Sequence, residues 1–527
     1  MRFTVQFPLL IGFAIVLGLP VCGWSADTAP LAITVDTGKP LHQLPDAWNG
    51  SNFCALWNPS GYNAPLSTAT AQLGLKLLRF PGGVPCQWYD WETPLATGWS
   101  TTTPALAWQL GKEAGAQMVF QTNTANDSTG TNKDTGKDYR FDSSGAHAAK
   151  WVEWARDNQV KVAFWEIGNE PEMDAPAASK ETQEAVYAWY NAKYEEQVRA
   201  IRAVDPKARV LGPAATNAWF WWNQENLKKF LQVHGNKGGS GLADAISLHW
   251  YPGGSDARWE EKRATAQGWQ GCWDHLQQVI TECDKRPLPV YLTEWNWGAG
   301  DKNDGAKQLT NALGCADCIG MFRRTGVSGQ THFVLQHVDK NWGVLATKGE
   351  PQEENHAAPT YFALAIAAHL GTEVLAVTNP ADEGQVLATY AARDALGGIQ
   401  VMLINKTETS LAVEVGFKTI DKSAAFNPLN KPVAVYTLVG SSGTNVYDES
   451  IRYNGILDPS PATGPLPPPS TIAAGKTFPT TLPPYSLTLL AFPGKSPIKS
   501  QLKSEAKNPV KDTPKAQPKT PTKSTAR

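Results

Sequence analysis

Two short runs in this chain place a glutamate where an apolar segment stops. In the first, Trp165-Glu166-Ile167-Gly168-Asn169-Glu170-Pro171-Glu172, the proline cannot donate to a sheet ladder, so a strand ends by Glu170 and its side chain is delivered to the strand exit. In the second, Val290-Tyr291-Leu292-Thr293-Glu294-Trp295-Asn296-Trp297, four apolar or β-favouring residues lead straight to Glu294. A carboxylate so placed costs several kcal/mol when buried unless it is paired. Two carboxylates from different strands suit cleavage of a glycosidic bond. One protonates the leaving oxygen, and the other attacks the anomeric carbon or activates water. A separation of about 5–5.5 Å gives retention of configuration and about 6.5–9.5 Å gives inversion; that distance belongs to the folded chain.

Other strand ends add polar groups. Arg79 closes Leu77-Leu78-Arg79-Phe80 ahead of Pro81-Gly82-Gly83, where a buried guanidinium near Glu294 would keep a nucleophile ionised. Leu248-His249-Trp250-Tyr251-Pro252 offers His249, which taken alone is more often a satisfied core histidine, and Tyr251, whose hydroxyl could bond the nucleophile. Asn169 could donate to a sugar hydroxyl, Glu166 could pair with Arg79, and Glu172 is expected in solvent. Trp295 and Trp297 flank Glu294 as candidate sugar platforms, and Gln336, before His337 and with Trp342 following, closes the last apolar run as a further candidate substrate contact.

These groups need elements to hold them. Eight short apolar runs read as strands: Phe53–Leu56, Lys76–Phe80, Met118–Thr122, Val160–Ile167, Ala208–Gly212, Ala245–His249, Pro289–Thr293 and Thr331–Leu335. Such runs suit parallel strands covered on both faces. Helical patterns lie between them, including Ser144–Asn158, Glu181–Val204, Gln224–Val233, Glu260–Cys283, Ala306–Thr325 and Pro359–Leu370. Strand and helix alternating eight times predict a (β/α)8 barrel over 27–370, with its reactive groups at the C-terminal strand ends. From 371 to 494 turn residues separate strand-like runs and helical periodicity is absent, which predicts an antiparallel β-sandwich; residues 31–36 could add a strand to it.

Arg2 and the apolar run from Phe7 to Val21 predict a signal peptide over 1–26, and hence a secreted or periplasmic protein; an uncleaved anchor, or a lipoprotein through Cys22, is the alternative. Export makes disulfides plausible among Cys54, Cys86, Cys272, Cys283, Cys315 and Cys318. Cys315-x-x-Cys318 has no further ligands at zinc spacing and reads as structural. In 495–527 a basic residue falls at every fourth position, nine in all against Glu505 and Asp512, so the tail carries +7 and the other 494 residues −9 of the net −2. Its five prolines forbid a helix, so the tail is expected to be disordered, either holding the protein to an acidic surface or simply aiding solubility. The charge gives no footing for nucleic acid, and oligomeric state has no signature here.

Asn-Glu-Pro at 169–171 after the fourth strand, with Thr-Glu-Trp-Asn at 293–296 after the seventh, resembles the clan of retaining (β/α)8-barrel glycosidases. The resemblance, over roughly 45–370, implies Glu170 as acid/base, Glu294 as nucleophile, and Arg79, Asn169, His249 and Tyr251 as substrate-site residues. Arg79–Glu92, reading R-F-P-G-G…Y-D-W-E, is similar to α-L-arabinofuranosidases, although those usually carry Asp where Thr293 stands. Gly212-Pro213-Ala214, with Trp221 and Phe230-Leu231, is similar to β-xylosidases and endoglucanases.

The expectation is therefore a retaining glycoside hydrolase acting on a polysaccharide or its oligosaccharides, requiring no cofactor and no metal. The competing reading is a polysaccharide-binding or wall-attachment protein that no longer turns over, which the 21 tryptophans and basic tail would serve. A barrel enzyme of unrelated chemistry has no support: no Schiff-base lysine context, metal-ligand cluster or phosphate loop is found.

Overall fold

The computed structural model describes residues 29–174, 182–216, 225–253, 258–298, 307–338, 342–418 and 431–494. The expected signal peptide, the basic tail and Trp221 lie outside the described residues.

Strand β1 (Leu31–Gln43) is followed by β2 (Gly50–Asn52), β3 (Leu77–Phe80) and β4 (Gln117–Thr122). A small hairpin, β5 (Thr129–Thr131) and β6 (Asp138–Arg140), precedes β7 (Val162–Ile167), β8 (Val210–Ala215), β9 (Ala245–Trp250), β10 (Val290–Trp295) and β11 (Gly329–His332). Strands β2, β3, β4, β7, β8, β9, β10 and β11 close into an eight-stranded barrel through parallel pairings. Each is followed by a helix: α1 (Ala64–Ala71), α2 (Pro104–Ala114), α3 (Gly145–Asp157), α4 (Gln183–Val204), α5 (Glu225–His234), α6 (Trp269–Cys283), α7 (Leu309–Thr325) and α8 (Pro359–Ala367). Helix starts are set locally, with Asn63, Thr103, Ser144 and Thr182 each accepting a backbone N–H from the first turn.

The first and last barrel strands lie N-terminal to the expected runs. A side chain on Gly50 would stand 2.7 Å from the Gln330 carbonyl and 2.8 Å from that of Leu77, and one on Gly329 would meet the Tyr291 ring at 2.6 Å. These two seam strands carry glycine at the tight point and polar residues beside it, Gly-Ser-Asn and Gly-Gln-Thr-His, and so lack an apolar signature. The runs that follow, Phe53–Leu56 and Phe333–Leu335, are apolar because they plug the barrel mouth, where Cys54, Phe333 and Val334 pack together. The expected helix over 260–283 is broken. Its first part turns outward, where the Trp259 indole donates to the Lys406 carbonyl at 3.0 Å and Arg263 to Gln385 at 2.7 Å.

The second unit is an 11-stranded, mostly antiparallel sheet containing β12 (Glu373–Thr378), β13 (Leu387–Arg393), β14 (Ile399–Asn405), β15 (Leu411–Lys418) and later strands to β21 (Ser486–Phe492). β1 lies inside it, antiparallel to β12 and parallel to β15. The sheet curls on itself as a sandwich. On β14, Ile399, Val401 and Leu403 face the sandwich core, while Met402 and Ile404 join the core shared with the barrel helices. Burial of both faces explains why β14 is apolar throughout.

The six described cysteines are buried free thiols, contrary to the disulfides that export suggested. Each finds separate surroundings: Cys54 donates to the Gly82 carbonyl and Cys315 to Asn296. Cys315 and Cys318 sit on α7 among apolar neighbours, a structural placement.

Candidate active site at the barrel mouth

The C-terminal ends of the barrel strands converge on Arg79. Its side chain is fully buried, and all five N–H donors are committed. Nε donates to Glu166 Oε2 at 2.6 Å. Nη1 donates to Asn52 Oδ1 at 2.9 Å and to Glu294 Oε2 at 3.1 Å. Nη2 donates to Asn169 Oδ1 at 3.0 Å and to His249 Nε2 at 3.3 Å. Burial opposes its charge, but Glu166 and Glu294 outweigh burial and raise its pKa. One planar cation from β3 thus indexes groups from β2, β7, β9 and β10.

Because Arg79 can only donate, His249 Nε2 must accept, so the His249 proton sits on Nδ1 and is directed at Glu170 Oε1, 2.8 Å away. Burial lowers the His249 pKa, in keeping with a neutral ring.

Glu170 and Glu294 occupy different surroundings. Burial, reinforced by the neighbouring charge of Glu172 and only partly offset by Arg79, pushes the Glu170 carboxyl up to about 8. Glu294 accepts from the Tyr251 hydroxyl at 2.6 Å and from Arg79. Burial and the Glu294 charge raise the Tyr251 pKa, so its hydroxyl remains a donor. An oxygen of Glu170 and an oxygen of Glu294 lie within 4.8 Å of each other.

The backbone is shaped for this. Glu170 has φ 38°, a left-handed conformation that costs energy for a residue with a side chain, and its N–H is fixed on the Ala214 carbonyl at 2.8 Å. Gly83 has φ +80°, and a β-carbon there would stand 3.2 Å from both Glu294 Oε2 and the Phe333 ring. The Gly82 and Gly83 amides are held by Gln121 Oε1 at 2.9 and 3.0 Å.

The structure brings Arg79, Asn169, Glu170, His249, Tyr251 and Glu294 together. The Asn169 amide nitrogen makes no hydrogen bond among the described residues, since only its oxygen is engaged. Three expected substrate contacts lie elsewhere. Trp295 is fully buried on the outer side of β10, donating to Gln330 at 2.6 Å and packing on Phe322 and His332. Strand alternation decides this, because a residue beside an inward-facing Glu294 must face outward. Trp297 is buried against Trp259. Gln336 is also fully buried, its amide donating to the Ala346 carbonyl and to Asn355. Glu172, expected in solvent, is half-buried and accepts the Thr216 N–H.

The aromatic wall of the mouth is instead Trp342, stacked on Tyr251 at 6.2 Å, with Phe333, His337 and the exposed Trp57 beyond. Sequence reasoning missed Asn52 and Gln121. Each is a polar residue near the end of a barrel strand, and Gln121 sits inside an otherwise apolar run, the one available signal.

Residues 145–392 match the family model described as Glycosyl hydrolases family 39. A β-xylosidase of Caldicellulosiruptor saccharolyticus is 32% identical over 144 residues, 26% of this chain. The chain thus aligns with about a quarter (26%) of that relative's length. Among solved structures, the family 51 α-L-arabinofuranosidase of Thermotoga petrophila RKU-1 superposes with TM-score 0.64 at 16% identity, covering 88% of this chain and 99% of that one. A bifunctional glucanase-xylanase from a metagenome library gives TM-score 0.62 at 16% identity with the same coverages, 88% and 99%. At these identities the superpositions establish the fold: a barrel carrying a sandwich.

Proposed function

We propose that this protein is a retaining O-glycoside hydrolase with Glu294 as nucleophile and Glu170 as acid/base. The observation that carries the reading is a carboxylate pair within 4.8 Å, short of the roughly 6.5–9.5 Å that inversion needs to admit a water. In the first step a Glu294 oxygen bonds to the anomeric carbon as the glycosidic bond breaks, and the Glu170 proton passes to the leaving oxygen. In the second, the Glu170 carboxylate takes a proton from water, whose oxygen bonds to the anomeric carbon and releases Glu294. Arg79 and Tyr251 hold the nucleophile, His249 orients Glu170, and Trp342 supports a sugar face. The family match and the xylosidase segment favour a β-xyloside or a related pentoside, taken from a polysaccharide or its oligosaccharides. An exported enzyme fits the signal peptide expected over 1–26, and the burial of the six described thiols is compatible with an oxidising compartment.

The test is a panel of aryl xyloside, arabinofuranoside, glucoside and cellobioside, run beside Glu294→Ala, with the first-formed anomer read by NMR. Phenol release by the wild type alone, with configuration retained, supports the reading. Inversion refutes the mechanism, and inactivity on every glycoside and polysaccharide refutes the enzyme and favours a binding protein.

A further inference from the structure

A second cluster of acids and imidazole lies outside the barrel mouth. Asp90 and Glu92 stand between β3 and α2, and His147 is in the first turn of α3. With the β5–β6 hairpin they line a cavity of about 510 Å³. His147 is 8% exposed. Its Nδ1 is 3.1 Å from the Asp142 carbonyl, which can only accept, so Nδ1 carries the proton.

Nε2 is left facing two carboxylates, 3.5 Å from Glu92 Oε2 and 3.9 Å from Asp90 Oδ1, and it makes no hydrogen bond among the described residues. A charged imidazole donating to a carboxylate closes to about 2.7–2.9 Å. Even the neutral His249 ring closes on Glu170 to 2.8 Å. A lone pair on the buried Nε2 would be repelled by these carboxylate oxygens, and a cation between them would satisfy all three groups. Ligands about 2.0–2.2 Å from a tetrahedral zinc stand about 3.3–3.6 Å apart, so the 3.5 Å gap to Glu92 fits one and the 3.9 Å gap to Asp90 has a few tenths of an ångström to close.

The surroundings agree. The cavity holds Asp90, Glu92, Asp138 and Asp142 against Arg140 and Lys150, four negative charges to two positive. Lys150 lies by the other Glu92 oxygen, 3.4 Å from Oε1, which leaves Oε2 to the cluster. Asp90 is preset, Oδ1 accepting the Glu92 N–H at 3.0 Å and Oδ2 the Thr93 hydroxyl. The Nδ1–H bond to a backbone carbonyl is the way metal-binding histidines are commonly oriented.

We propose that Asp90, Glu92 and His147 bind a divalent cation of the zinc class, with water as fourth ligand, tying the segment after β3 to the start of α3. The site uses none of the barrel-mouth residues, so it stands apart from the glycosidase reading. The test strips the full-length protein with a chelator and titrates zinc chloride against a chromophoric zinc indicator, with thermal melts alongside. One zinc per chain and a raised Tm are expected. His147→Ala and Glu92→Gln should each weaken binding at least about tenfold. The Glu92 side chain is 44% exposed, so its variant remains informative if His147→Ala does not fold. Absence of saturable zinc binding overturns the proposal, as does equal binding by Glu92→Gln or a preference for calcium.

Discussion

Two buried charge constellations in this molecule differ in a way that separates holding from reacting. At the interface of barrel and sandwich, Lys406 and Asp317 are 0% and 1% exposed and meet at 2.6 Å. Lys406 also donates to the carbonyls of Arg263 at 3.0 Å and Gly384 at 3.4 Å, while Asp317 accepts from Tyr390 at 2.6 Å. One cation faces one anion, and the site is closed. At the barrel mouth, Arg79 faces Glu166 and Glu294 at once, Glu170 keeps 17% of its side chain open, and Glu166 Oε1 has no hydrogen-bond partner among the described residues. The mouth carries more carboxylate than it neutralises. Burial, with the neighbouring charge of Glu172 and only partial relief from Arg79, raises Glu170, which is what a proton donor working near neutrality requires.

The comparison breaks most directly at Glu294. Glu294→Gln is expected to lower turnover on the order of 10⁴-fold or more while leaving the Tm nearly unchanged, as read by aryl glycoside kinetics and thermal melting. A small effect would remove Glu294 from the chemistry. Lys406→Met should do the opposite. Leaving Asp317 buried without its cation costs about 3–5 kcal/mol of stability by denaturant unfolding, with turnover per folded molecule preserved.

The pH profile sharpens the contrast. Glu170 must hold a proton to act as acid, and with its pKa raised to about 8 the proton is present below that pH and lost above it. kcat/KM should therefore fall as pH rises through about 8. Glu172→Gln removes one of the two causes of that elevation and should move this limb to lower pH, by less than about one unit; an upward shift would contradict the electrostatic account. The smallest effect is expected from Trp342→Ala, a rise in KM of about 2- to 10-fold with kcat little changed, for a loss of about 0.5–1.5 kcal/mol of ring contact.

The sequence by itself determined the alternation of strand and helix, the change to an antiparallel unit after Gly371, and the two glutamates at strand ends. These rest on local rules: runs of apolar residues, helix caps such as Ser144 and Thr182, and a Gly-Asn-Glu-Pro run that no strand can cross, the strand ending at Ile167. Arg79, His249 and Tyr251 were legible for the same reason, since each closes an apolar run. Only the tertiary structure decided which neighbours share the mouth. Trp295 adjoins the nucleophile in sequence yet faces away from it, whereas Trp342, beyond the last strand, folds back onto Tyr251. Asn52 and Gln121 take their roles from strands that pair across the barrel. The seam strands escape local pattern because close approach selects glycine at 50 and 329 and the residues beside them are polar, leaving no apolar run to read. The free thiols, the approach of the two carboxylates to within 4.8 Å and the meeting of Asp90 with His147 depend on segments far apart in the chain. Closure of the barrel sets those distances, and no local pattern encodes them.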